Sequence, residues 1–153
     1  MRDLATGIVG ALTAVGVSRT AAAQAAIEFV DGLGEGSLAT TYPIPPKDGA
    51  QIDKKNEVIL VRWQNAIYAF NLSCPHQNTA LKWNEKDLRF KCPKHNSRYQ
   101  PDGVFIDGRA TRGMDRFNVT LEGANVVVDV KAMHKQDADP TGWAAAMAKL
   151  PPG

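Results

Sequence analysis

The chain has 153 residues, with 18 basic against 16 acidic side chains, 44% hydrophobic residues and only two cysteines. These proportions exclude wholesale disorder and fit one domain. A net charge of +2 supplies no general electrostatic reason to bind nucleic acid. Two cysteines cannot build a disulfide-dense scaffold; they allow one bridge, or none where something else holds the sulfurs.

From the start of the chain, Leu4 to Val17 is an uncharged run of small and apolar residues between Arg2 and Arg19. It falls short of the roughly 20 residues a spanning helix needs. With the alanines that follow, residues 1–25 read as an export signal or as a membrane anchor, residues 4–25 supplying the anchor. The expected location is periplasmic, or membrane-associated and facing the periplasm, with the cytoplasm as the alternative. Residues 26–56 carry Gly32, Gly34, Gly36, Pro43, Pro45 and Pro46, a composition that predicts a hinge or extended arm.

The folded body is expected over residues 57–131. Val58-Ile59-Leu60-Val61 and Ala66-Ile67-Tyr68-Ala69-Phe70 flank Gln64-Asn65 and predict a hairpin. Leu88, Phe90 and Cys92 are expected on one face of an alternating strand. Pro101-Asp102-Gly103 and Asp107-Gly108 mark turns around Val104-Phe105-Ile106. Phe117, Val119 and Leu121 alternate with polar residues, and Glu122-Gly123-Ala124-Asn125 turns into Val126-Val127-Val128. Several short strands with turns between them predict an all-β fold, a small antiparallel sandwich or barrel. In the tail, residues 132–153, Asp139-Pro140 predicts the start of a helix running to about Leu150, with Trp143, Met147 and Leu150 on one face. That face packs on its own domain or on a partner. His134, in a polar run, reads as an exposed surface residue.

The chemistry lies in two short loops. Cys74-Pro75-His76 and Cys92-Pro93-Lys94-His95 form the pattern C-x-H, fifteen residues, C-x-x-H. Both cysteines and two of the three histidines fall here. Each pair follows a predicted strand, and Pro75 and Pro93 restrict the backbone where ligand side chains must converge. A Cys₂His₂ set is a familiar tetrahedral zinc site, but common zinc fingers pair like with like along the chain. Here each loop supplies one sulfur and one nitrogen, which suits a two-metal site.

Over about residues 57–131 the chain resembles the Rieske [2Fe–2S] proteins: VILVRWQNAIYAFNLSCPHQ, KCPKHNSRYQPDG and DRFNVTLEGANVVVDV carry the resemblance. It implies an antiparallel β domain with cluster-binding loops at one tip, Cys74 and Cys92 on one iron, and His76 and His95 on the other. Replacing two thiolates by neutral imidazoles raises the potential to about −150 to +300 mV, against about −400 mV for a plant-type ferredoxin cluster. Ser97 and Tyr99 match positions whose hydroxyls donate to cluster sulfurs in quinol-oxidising members. Thr79 and Lys94 stand where many of those members carry a bracing disulfide, and Asp107–Thr111 stands in place of their glycine-proline cover loop. The resemblance therefore implies a one-electron carrier, not catalytic alone. It would be a subunit or partner of a respiratory-type oxidoreductase, either quinol-to-cytochrome or a periplasmic oxidase, with a cytochrome or similar redox protein as partner. The alternative is a soluble Rieske ferredoxin feeding an oxygenase. Between Lys82 and Arg98 six basic residues stand against Glu85 and Asp87, which would attract an acidic partner.

Overall fold

The computed structural model describes residues 39–152; the predicted leader (1–25) and residues 26–38 of the predicted arm lie outside the described residues. The elements in chain order are β1 (Ala39–Pro43), β2 (Gly49–Asp53), β3 (Val58–Trp63), β4 (Ala66–Asn71), β5 (Lys82–Asn84), β6 (Arg89–Lys91), β7 (Arg98–Tyr99), β8 (Phe105–Asp107), β9 (Arg116–Glu122), β10 (Asn125–His134), α1 (Pro140–Ala145) and β11 (Ala148–Lys149).

The hairpin around Gln64-Asn65 is the framework of the larger sheet. Trp63 pairs with Ala66, and both intervening residues have positive φ, +48° and +62°. That is the twist a two-residue connection needs to match right-handed strands. On β3, Val58 and Leu60 face one core and Ile59 and Val61 face another. A strand covered on both faces reads as a continuous apolar run rather than an alternating one. Burying each such side chain contributes about 1.5–3 kcal/mol.

The larger sheet is antiparallel in the order β1-β10-β9-β4-β3-β2. It curls until its end strands meet: the Tyr42 hydroxyl on β1 donates to the Asp53 carboxylate on β2 at 2.9 Å. Its interior is filled by Val58, Leu60, Ile67, Phe117, Val126 and Val128. A second sheet, β5-β6-β7-β8, holds the loops of interest. The core between it and the larger sheet contains Ile59, Phe70, Phe90, Tyr99 and both cysteines.

Four expectations need correction. Residues 39–53 are not an arm: they form β1, paired with β10, and β2, paired with β3. Alternating side chains and the chance to cover two sheet edges outweigh the prolines, which fall at or beyond the end of β1. The helix of the tail ends at Ala145 rather than near Leu150, and β11 follows it. β9 pairs with β4 only at Ala69 and Phe70, and β11 takes the edge left at Ala66 and Ile67. Pairing that open edge satisfies backbone groups which another helical turn would leave exposed. Trp143 and Leu150 are buried in the chain's own domain, and the tail is therefore part of it. Leu88 does not share the buried face of Phe90 and Cys92: it sits in the turn before β6 at φ +48°, 40% exposed. His134 is no free surface residue, since Nδ1 lies 2.7 Å from Asp139 and Nε2 2.9 Å from Asn118 Oδ1.

Candidate metal centre

The two loops that follow β4 and β6 are built alike. In the first, the Cys74 N–H donates to Thr79 O at 2.9 Å and the Asn78 N–H donates back to Cys74 O at 2.9 Å. In the second, the Cys92 N–H donates to Ser97 O at 2.8 Å and the Asn96 N–H to Cys92 O at 3.0 Å. Asn78 and Asn96 take left-handed conformations, φ +50° and +59°, which asparagine tolerates better than most residues. Each loop is thus a closed turn with cysteine at its base and asparagine four residues on. These asparagines escaped the sequence reading, although the repeat Cys-Pro-x-x-Asn, eighteen residues apart, was there to find.

The turns sort the four candidate ligand side chains, two cysteines and two histidines, by depth. Cys74 and Cys92 are unbridged and buried, 0% and 1% exposed, whereas His76 and His95 are half-buried. The imidazole rings stand edge to face with centroids 4.9 Å apart. Among the described residues no three His, Cys, Asp or Glu groups converge on a single metal position; the set is divided into a sulfur pair inside and a nitrogen pair outside. Thr79 and Lys94 lie in these turns, and backbone hydrogen bonds close each one.

The electrostatics favour ligand forms. Burial alone would push the Cys92 thiol up, but the backbone N–H groups of His95 and Lys94 and the Cys74 thiol outweigh it, so the thiolate forms more readily. Burial, followed by the charges of His76, Arg109 and Lys94, lowers the His95 pKa and keeps its ring neutral. Nδ1 of His76 and Nδ1 of His95 are both buried with no hydrogen-bond partner. A buried polar atom left unpaired costs about 1–3 kcal/mol, and two on facing rings call for a shared occupant.

Ser97 and Tyr99 close the inner side. The Tyr99 hydroxyl is 3.3 Å from Cys74 Sγ, and burial, with the Cys74 contact adding to it, pushes the phenol well above its ordinary range. It stays protonated, as a donor. The fully buried Ser97 Oγ accepts from the N–H groups of Arg109 and Ala110, both at 3.0 Å. With both acceptor sites used, its own proton is left to donate, and the Tyr99 hydroxyl is its side-chain partner. The Asp107–Thr111 segment therefore covers the second loop through its backbone. Gly108, at φ +109°, allows that approach: a Cβ there would collide with the Ser97 backbone and lie 2.9 Å from Oγ.

The chain matches the Rieske [2Fe-2S] domain over residues 40–131 and belongs to that family, whose members hold a Rieske-type [2Fe–2S] cluster. Two unpartnered imidazole nitrogens beside two buried thiols suit such a group. Relatives include the cytochrome b6-f complex iron-sulfur subunit of Synechococcus sp. (strain JA-3-3Ab), 38% identical over 61 residues, covering 40% of this chain and 36% of that one. The same subunit of Synechococcus sp. (strain CC9605) is 33% identical over 72 residues, covering 46% and 40%. The chain thus spans well under half the length of these curated relatives. Among solved structures, the cyanobacterial plasma membrane Rieske protein PetC3 from Synechocystis PCC 6803 aligns with TM-score 0.45 and 26% identity, covering 52% of this chain and 82% of that one.

Proposed function

We propose that this chain is a one-electron carrier working in a membrane-associated quinol–cytochrome type of complex, its site facing the periplasm or an equivalent compartment. Cys74 and Cys92 would hold one iron through sulfur, and His76 and His95 the other through Nδ1. The observation that carries this reading is the pair of buried, unpartnered Nδ1 atoms outside two buried sulfurs. Bound there, the cluster supplies a single reversible electron at a potential within the Rieske range of about −150 to +300 mV.

The residues of the chain do the rest. The two turns hold the four ligands without a disulfide, so assembly requires no oxidising step for these cysteines. The core keeps water from the sulfurs, and the half-buried imidazoles form the contact end, the shorter path to a redox partner or a quinol. Tyr99, protonated and 3.3 Å from Cys74 Sγ, would donate to sulfur, and Ser97, whose side chain hydrogen-bonds the Tyr99 hydroxyl, would support it from behind. Such donors favour the more negative reduced state and raise the potential. Residues 1–25 would supply the export signal or anchor, residues 26–38 the link to the folded domain, and residues 39–152 the electron-carrying unit.

The test is an EPR-monitored redox titration of the native protein. A reduced-state Rieske signal with a midpoint in the upper part of the range is expected. A midpoint near −150 mV would refute the quinol-linked reading in favour of a ferredoxin serving an oxygenase, and an EPR-silent, colourless zinc protein would refute both.

A further inference from the structure

Beside the second ligand loop lies a groove of about 630 Å³, whose lining includes Trp83 and Pro93 on its apolar side and Lys82, Lys86, Lys91 and Asn96. Pro93 and Asn96 bracket His95, so an occupant would rest against the loop that presents this imidazole. Glu85 is the single carboxylate in the lining. Trp83 is only partly buried, held by its tilted stack on Phe90 at 4.7 Å between centroids.

The register of the small sheet concentrates positive charge here. Lys82 lies directly opposite Lys91, Lys91 opposite Arg98, and Arg98 opposite Asp107. Asp107 is spent on Arg98 as an ion pair, leaving Lys82 and Lys91 adjacent. Among the described residues neither lysine, nor Lys86, forms an ion pair. Like charges directly opposite in a sheet are destabilising, and an acidic partner would relieve them.

We infer that this groove is the docking surface for an acidic segment of the redox partner, a carboxylate-rich stretch whose apolar side chain covers Trp83 while its charges meet Lys82, Lys86 and Lys91. The inference rests on the electron-transfer reading above. Charge complementarity would speed encounter and fix the partner's orientation, bringing its acceptor beside the His95 loop. One electron would then leave the reduced protein and enter the acceptor, with no bond made or broken.

Native cytochrome c, which is basic, and the same protein succinylated to reverse its charge serve as probes. Binding to the holoprotein is measured by calorimetry at low ionic strength, and reduction of ferric to ferrous haem by stopped flow. The succinylated form is expected to bind and react at least tenfold better than the native form. The double variant Lys82→Glu, Lys91→Glu should lose at least tenfold in both readouts with its EPR signal unchanged; the added negative charge lowers the midpoint, which by itself speeds haem reduction and so cannot cause the loss. Lys135→Glu with Lys149→Glu makes the same net charge change on exposed residues outside the groove and should alter neither readout more than twofold. Equal losses in both double variants, no loss in the groove variant, or preference for native cytochrome c would overturn the docking surface. Groove-dependent binding without haem reduction would leave the surface standing and refute electron transfer.

Discussion

Removing one oxygen from Tyr99 isolates what its hydroxyl does to the cluster. The phenol is fully buried, its oxygen is 3.3 Å from Cys74 Sγ, and Phe keeps the ring that meets Phe105 edge-on at 5.9 Å. Tyr99→Phe therefore removes a donor with little change in packing. A hydrogen bond to a charged acceptor contributes about 1.5–3 kcal/mol. Only its strengthening when the cluster gains an electron affects the potential, and about 1 kcal/mol is a reasonable share. At ~59 mV per tenfold, or per 1.4 kcal/mol, for one electron, the midpoint should fall by about 40 mV. Voltammetry of wild type and variant at one pH, with EPR to show an intact cluster, reads this directly. An unchanged or higher midpoint with an intact spectrum would refute the assignment of Tyr99 as a sulfur donor.

Other consequences follow from the same geometry. Gly108→Ala forces the cover segment off Ser97 and should cost about 1–3 kcal/mol in chemical denaturation while lowering the midpoint; a variant equal to wild type in both would contradict the close approach. Asn96→Ala removes the amide that eases asparagine into the left-handed turn and should cost about 1–2 kcal/mol and shorten the lifetime of the cluster's visible absorbance, whereas Asn96→Gly should retain both. Trp143→Ala removes a buried ring that donates to Met114 O at 2.7 Å and lies 3.6 Å from the Arg116 guanidinium; a loss of about 3–5 kcal/mol is expected, and a loss under about 1 kcal/mol would mean the tail is dispensable. The Asp139 carboxyl is held below its ordinary pKa, first by His134 and then by the Gly142 N–H. Its folded pKa is depressed, so its contribution is present above the unfolded value of about 3.9 and lost as pH falls through the folded value. The stability difference between wild type and Asp139→Asn should be full at pH 7 and shrink below pH 4; a difference that grows on acidification would refute the contact.

The candidate site was legible in the chain because it is local. A metal-binding loop needs particular ligand types within a few residues of one another, so Cys74-x-His76 and Cys92-x-x-His95 point to a shared centre before any fold is known. The hairpin at Gln64-Asn65 was equally readable, because a two-residue turn between apolar runs is a short-range signal. The asparagines that close both loops carry a signal too, since Cys-Pro-x-x-Asn occurs twice, but its meaning depends on a left-handed φ seen only in the folded turn.

Where the answer depended on partners distant in sequence, local pattern failed. Ala39–Pro43 looks like an arm until β10 is beside it, and residues after Ala145 look helical until the vacant edge of β4 draws them into β11. His134 reads as solvent-exposed until Asn118 and Asp139 arrive on either side. The two-cysteine count could state that at most one disulfide was possible; burial, the separate turns and the unpartnered Nδ1 atoms required packing to appear. The candidate ligand set is written within single loops, whereas edge coverage, hydroxyl orientation and the row of lysines beside Trp83 arise from strand register, which pairs residues that no short window of the chain contains.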